Sequence, residues 1–205
     1  MAYPTVSAPY GFQPINRIDG LPYAGAVQQL PVTSGQAIYY GDTVKVVAGG
    51  TISRSGATTT GTIVGVFVGC QYVNSMGQTV QAQYVPASGV TNPIAYVVVD
   101  PSAAFKVAVT TTGSTTTVTG ANSTIVGCNV AQTAWAAGSN ATGDSISAVV
   151  LPANGAGDTD ALPFRVVAVV PETAYVSGGV TIYPEVIVKI NNPQYTALTG
   201  TTYTA

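Results

Sequence analysis

The chain contains no histidine. That removes the general base of Ser-His-Asp and Cys-His catalysis together with the commonest metal ligand. Acid chemistry would have to come from eight carboxylates spread thinly over 205 residues. Only Asp158 and Asp160 stand close together, in the Gly-rich stretch PANGAGDTD from Pro152 to Asp160. A carboxylate pair can serve glycoside hydrolysis, or can join backbone oxygens around calcium, which takes roughly six to eight oxygen ligands. No neighbouring acid completes an EF-hand or a repeat-type calcium loop, so solvated turn residues are the simpler reading. Gly155-Ala156-Gly157 also fails as a dinucleotide fingerprint, because Asp160 stands where the third glycine belongs and no strand-to-helix unit surrounds it. The sequence therefore predicts no catalytic, cofactor-binding or metal-ligating residue, no cofactor, and no enzyme.

The two cysteines, Cys70 and Cys128, are too few for a disulfide framework. They read as two small buried residues rather than a bridge, since free cysteine is among the most buried residue types. Asn122-Ser123-Thr124 and Asn140-Ala141-Thr142 match the glycosylation sequon. The opening residues MAYPTVSAPYGF lack the charged and apolar regions of a secretory signal, so cytoplasmic synthesis is expected and both sequons read as loops. Arg17, Arg54 and Arg165 are the only guanidinium groups. Burying an Arg without a partner is costly; Arg17 with Asp19 reads either as a pair that reaches another subunit or as a solvated turn.

These residues must be carried on strands. Asp, Glu, Lys and Arg make up 7% of the chain, against roughly 25% in ordinary soluble domains. Low charge leaves strand edges without the Lys and Glu that guard them against pairing, which suits a subunit covered within an assembly, although secreted and bacterial surface β proteins share the same bias. A net charge of −2 with no basic stripe argues against nucleic acid. No apolar run approaches the ~18 residues of a membrane-spanning helix.

The stretch Ile38 to Val73 holds two β-rich runs, Thr43 to Val47 and Thr62 to Val68, set off by Gly41-Asp42 and Gly49-Gly50 turn signals. Ile63 to Val68 is almost wholly apolar and predicts a strand covered on both faces. This pair is expected to anchor a small β-barrel. Further strands are predicted around Thr79 to Tyr84, over Ile94 to Val99, Phe105 to Val109, Ile146 to Leu151, Phe164 to Val170 and Thr181 to Ile190, with a short helix somewhere in Ala121 to Ala137. The TIVG of Thr62 to Gly65 recurs at Thr124 to Gly127, but the flanks do not match, so it reads as coincidence. The fold class is all-β, a small β-barrel or β-sandwich core with an extended N-terminal arm. The boundaries are 1–31 for the arm, 32–190 for the core, which two subdomains could share, and 191–205 for a polar tail. Five prolines keep the arm from being helical, yet Tyr3, Tyr10, Phe12, Ile15, Ile18, Leu21 and Tyr23 must be buried somewhere. The arm lies either on its own barrel or on a partner.

APYGFQPINRIDGLPYAGA (Ala8 to Ala26), followed by YYGDTVKVV, GVFVGCQYV, AYVVVDPSAAF, LPFRVVAVV and YPEVIVKINN, resembles in order and spacing the capsid cement or decoration proteins of tailed bacteriophages of marine and fresh waters. The resemblance covers most of the chain and is weakest over Thr110 to Gly143. It implies a β-rich structural virion protein without enzymatic activity. Such a protein is assembled in the bacterial cytoplasm and placed on the outer capsid surface as a homotrimer that clamps neighbouring major capsid protein subunits. On that reading Tyr10, Phe12, Arg17, Leu21 and Tyr23 are the capsid contacts, and an arm removed at residue 30 would leave a folded barrel behind. Competing expectations are another virion subunit, of the tail tube or a head fibre, and a carbohydrate-binding or adhesive β module.

Overall fold

The computed structural model describes residues 8–23, 26–56, 63–110, 123–133, 138–150, 161–173 and 183–196. Within them the chain is almost entirely β. Twelve strands run in the order β1 Gln13–Arg17, β2 Val27–Pro31, β3 Thr43–Val46, β4 Ile52–Arg54, β5 Gly65–Asn74, β6 Thr79–Ala82, β7 Val90–Val98, β8 Ala103–Thr110, β9 Asn129–Thr133, β10 Ala148–Val150, β11 Phe164–Val169 and β12 Glu185–Ile190.

Strands β8, β10, β9, β11 and β12 close on one another as a five-stranded barrel, because β12 returns to pair with β8. Only the β8–β10 contact is parallel; the other pairings in the barrel are antiparallel. Period-two alternation explains the closure. Phe105, Val107 and Val109 of β8 face Val186, Val188 and Ile190 of β12 across one buried core that also takes Val130, Val149, Phe164 and Val166. The barrel is thus built by the second half of the chain. The Ile38–Val73 stretch, expected to anchor it, lies instead in a second, antiparallel sheet of order β2-β7-β5-β3-β4 with β6 added beside β5. A run of apolar residues tells a strand that it will be covered, but not which sheet will curl shut.

The prediction that Ile63 to Val68 would be covered on both faces holds, and the reason is specific. Val66, with Val98 of β7, joins the barrel core, whereas Phe67, with Ala95 and Val97 of β7, joins a second core that includes Ile38, Val44, Ile52 and Val85. Strands β5 and β7 are therefore one wall between two cores. The wall is tight at Gly65, where an added Cβ would lie 2.1 Å from the Val98 carbonyl oxygen. The second sheet also bends toward closure: Val32 bridges Ile52, and the Thr33 amide donates to the Ile52 carbonyl at 2.9 Å.

The N-terminal segment is extended as expected, and its described part folds back on its own chain. β1 pairs with β8 through Gln13–Lys106, Pro14–Phe105 and Arg17–Ala103, on the same edge that β10 takes further along. β2 pairs with β7 over its full length. The segment thus contributes one strand to each sheet. An easily removed arm is not what its described residues form: Phe12 is completely buried and its ring stacks on Phe164. Gly11 and Gly41 make this possible. The Phe12 amide donates to the Gly41 carbonyl at 2.9 Å, and a Cβ on Gly41, whose φ is +83°, would fall 2.9 Å from the Phe12 nitrogen.

Two smaller expectations are refined. The described residues of the 121–137 region, 123–133, hold a 3-10 turn, Ser123–Ile125, and then the strand β9, which sequence reading did not find. Of the TIVG repeats, Ile63 to Gly65 of the first leads into β5, whereas Thr124 and Ile125 of the second belong to that 3-10 turn, so the described parts of the two are not structural equivalents.

Candidate interaction surface

Among the described residues no group of three or more Cys, Asp or Glu could hold a metal ion, and no helix is long and apolar enough to cross a membrane. Asp158, Asp160 and Gly155 to Gly157 lie outside the described residues.

Arg17 ends β1 and starts a tight turn. The Gly20 amide donates to the Arg17 carbonyl at 2.9 Å, and the Arg17 amide donates to the Leu21 carbonyl at 2.8 Å. Asp19 fixes the turn by accepting the Leu21 amide on its side chain at 3.2 Å. The Arg17 guanidinium lies 3.3 Å from Asp19 and 3.3 Å from Asp100, which sits on the β7–β8 turn. Asp100 in turn accepts the Ser102 amide at 2.7 Å, and the Ile18 amide reaches the Ser102 carbonyl at 2.9 Å. One guanidinium shared by two carboxylates welds the two turns together. Ile18 and Leu21 stand on this corner, 48% and 56% exposed, with Ile15 on β1 and Val27 at the start of β2 also exposed. Large apolar side chains held at a rigid corner are what a docking surface offers.

The five residues expected to bind a capsid therefore separate. Arg17 and Leu21 are at the exposed corner. Tyr23 is half-buried and packs against the barrel core. Phe12 is spent inside that core and faces no partner. Tyr10 is turned to its own barrel: its hydroxyl donates to Glu185, and Lys106 lies 3.3 Å from Glu185 while standing 5.7 Å above the Tyr10 ring. Burial, reinforced by the Glu185 carboxylate, pushes the Tyr10 hydroxyl well above the usual phenol range. Tyr10 and Phe12 hold the segment in place, and Ile15, Ile18 and Val27 are surface residues that join Arg17 and Leu21.

A second polar cluster escaped sequence reading. Asp42 is completely buried. One oxygen accepts the Tyr39 amide at 2.9 Å and lies 3.0 Å from Arg54 Nε. The other accepts the hydroxyls of Ser145 at 2.6 Å and Ser147 at 3.2 Å. Thr43, the next residue, donates to Gln132 of β9 at 2.6 Å. The cluster ties the entrance of β3 to the segment that leads into β10, and so fastens the second sheet to the barrel. Its chemistry is structural, since the carboxylate has no solvent face and its acceptor sites are filled. A Gly-Asp pair reads as a turn; the hint lay in the alternation of Ser145, Ile146 and Ser147, which marks hydroxyls aimed to one side.

Cys70 is buried, and its thiol donates to the carbonyls of Ala82 and Tyr84; Cys128 is half-buried, and both are free. Cys70 is buried as expected, whereas Cys128 is less covered than expected. A groove of about 530 Å³ runs between residues 31–36 and 85–93. None of the residues that line it is aromatic or charged, so it lacks the flat ring on which a sugar would stack. Comparison with protein-family models, with curated proteins and with solved structures finds no match for this chain.

Proposed function

We propose that the chain is a structural subunit of a tailed-phage virion that binds the outside of the capsid and stiffens it by clamping neighbouring major capsid protein subunits. The observation that carries the reading is the corner built on Arg17, where Ile18 and Leu21 are held outward by a shared ion pair. The sequence resemblance to capsid decoration proteins supplies the class of partner. In this reading Arg17, Ile18, Leu21 and Val27 touch the shell, Tyr10 and Tyr23 brace the segment, and the copies assemble as homotrimers. Each apolar contact gains about 25 cal/mol per Å² removed from water, and repetition over a capsid lattice adds avidity. No catalytic step is involved.

The test is co-sedimentation of the purified full chain with expanded capsids of the phage that encodes it. Wild-type protein is expected to pellet with the shells. A variant carrying Ile18→Asp and Leu21→Asp, with an unchanged circular dichroism spectrum, is expected to stay in the supernatant. Wild-type protein that ignores the shells, or a double variant that binds them as well as wild type, overturns the proposal.

A further inference from the structure

The chain carries six basic residues. Arg17, Arg54 and Lys106 are each held by a carboxylate. Arg165 and Lys189 form no ion pair among the described residues, and the register of β11 on β12 sets them directly opposite one another. Phe164 and Val166 on one strand, and Val188 and Ile190 on the other, belong to the barrel core, so the two cations between them share the outer face of the barrel. Arg165 is exposed and Lys189 half-buried. Side chains paired in this way have Cβ atoms about 5 Å apart, and like charges so placed repel. The guanidinium is also tethered. Arg165 Nε donates to the side-chain oxygen of Asn129 at 2.9 Å, and Asn129, its neighbour on β9, is only 3% exposed. With Nε engaged, the two terminal nitrogens are left to form the fork that fits a carboxylate.

From this we infer that Arg165 and Lys189 form a docking site for an acidic segment of a partner protein, one of whose carboxylates sits between the two cations. An anion there turns the repulsion across the strand pair into two attractions. Charge complementarity sets the sign of the partner, and the surroundings favour protein over nucleic acid. Two cations are too few to hold a phosphate backbone against a chain of net charge −2. Beside them stands an apolar contact: Val126 is 46% exposed, and the Gly127 amide, donating to the Val166 carbonyl at 2.9 Å, holds its turn against β11. The remaining basic residue, Lys45, is exposed on β3 opposite Ser53 and has no second cation across from it. Nothing in the site depends on the capsid reading.

The probe is hexaglutamate with blocked ends, titrated at low salt into the isotope-labelled full chain and followed by NMR. Saturable shifts are expected at the Arg165 Nε–H and at the backbone amides of Arg165 and Lys189, with none at Lys45. Lys189→Gln is expected to weaken binding about fivefold, the scale of one exposed ion pair, and Lys45→Gln to leave it unchanged. Lys189→Glu places a carboxylate of the chain itself opposite Arg165. It is expected to abolish binding and to raise the thermal midpoint at low salt, by an amount that shrinks as salt is added. A wild-type chain that does not bind hexaglutamate at these residues overturns the inference, as does a Lys189→Glu variant that binds it undiminished or melts no higher than wild type. So does a hexathymidylate that shifts the same residues at lower concentration than the peptide, which would make the ligand a nucleic acid.

Discussion

The rings of Phe12 and Phe164 stack with centroids 4.5 Å apart and planes 20° apart, which places a residue near the start of the chain in the same core as β11. The N-terminal segment is therefore part of what is folded. Phe12→Ala is expected to cost about 3–5 kcal/mol of stability, the usual loss when a buried aromatic is emptied. Urea unfolding measures it. Deletion of residues 1–30 is expected to abolish cooperative unfolding, because it takes away Phe12 and a strand from each sheet.

Asp42 and Arg54 form a buried pair, and removing one partner strands the other. Asp42→Ala is expected to lower stability by about 3–5 kcal/mol. Ser145→Ala is expected to cost less, about 1 kcal/mol, the scale of one hydrogen bond. If the cluster acts as a unit, the double variant will fall short of the sum of the two single losses, which a double-mutant cycle reads from unfolding midpoints.

Burial pushes the Cys70 thiol up to about 11, and the thiolate is the nucleophile in alkylation. With iodoacetamide at neutral pH, mass spectrometry of the peptides is expected to find Cys128 modified well before Cys70. Cys70 is expected to react at a comparable rate only in denaturant. Equal rates in the folded protein would mean that the second core opens readily around Cys70.

Tyr10 is an acid whose proton is held more tightly when the chain is folded. Above the ordinary phenol range the unfolded chain loses that proton while the folded chain keeps it. The native contribution is therefore fully present below about pH 10 and falls as pH rises beyond it. Burial raises Tyr39, Tyr40 and Tyr72 in the same direction. Thermal melts from pH 9 upward are expected to show a declining midpoint, and Tyr10→Phe is expected to make the decline shallower while lowering stability at neutral pH.

Strands whose inward residues alternate were legible in the sequence. Phe105, Val107 and Val109, and the Val186–Ile190 run, announce a buried side by period alone. β9 was missed because its buried residues include Asn129 and Gln132, whose polarity hides a strand from any reading based on apolar pattern. β1 and β2 were missed because prolines argue against regular structure, yet Pro14 sits beside a register shift and Pro31 ends its strand. At the candidate surface, the Arg17–Asp19 pair and the exposure of Leu21 follow from a turn in a charge-poor chain. The burial of Phe12 does not, since it depends on Phe164 and Gly41, far away in sequence. Asp100 completes the ion pair from another turn for the same reason.

The partition formed by β5 and β7 bears on how the molecule would answer to force. Pulling its two cores apart would not peel a linker, because the hydrogen-bonded pairs between Val66–Val98 and Asn74–Val90 belong to both. Tension applied along these strands would load their bonds in shear, many at a time. The protein would then yield as one brittle unit, resisting stretch up to a threshold and giving way all at once.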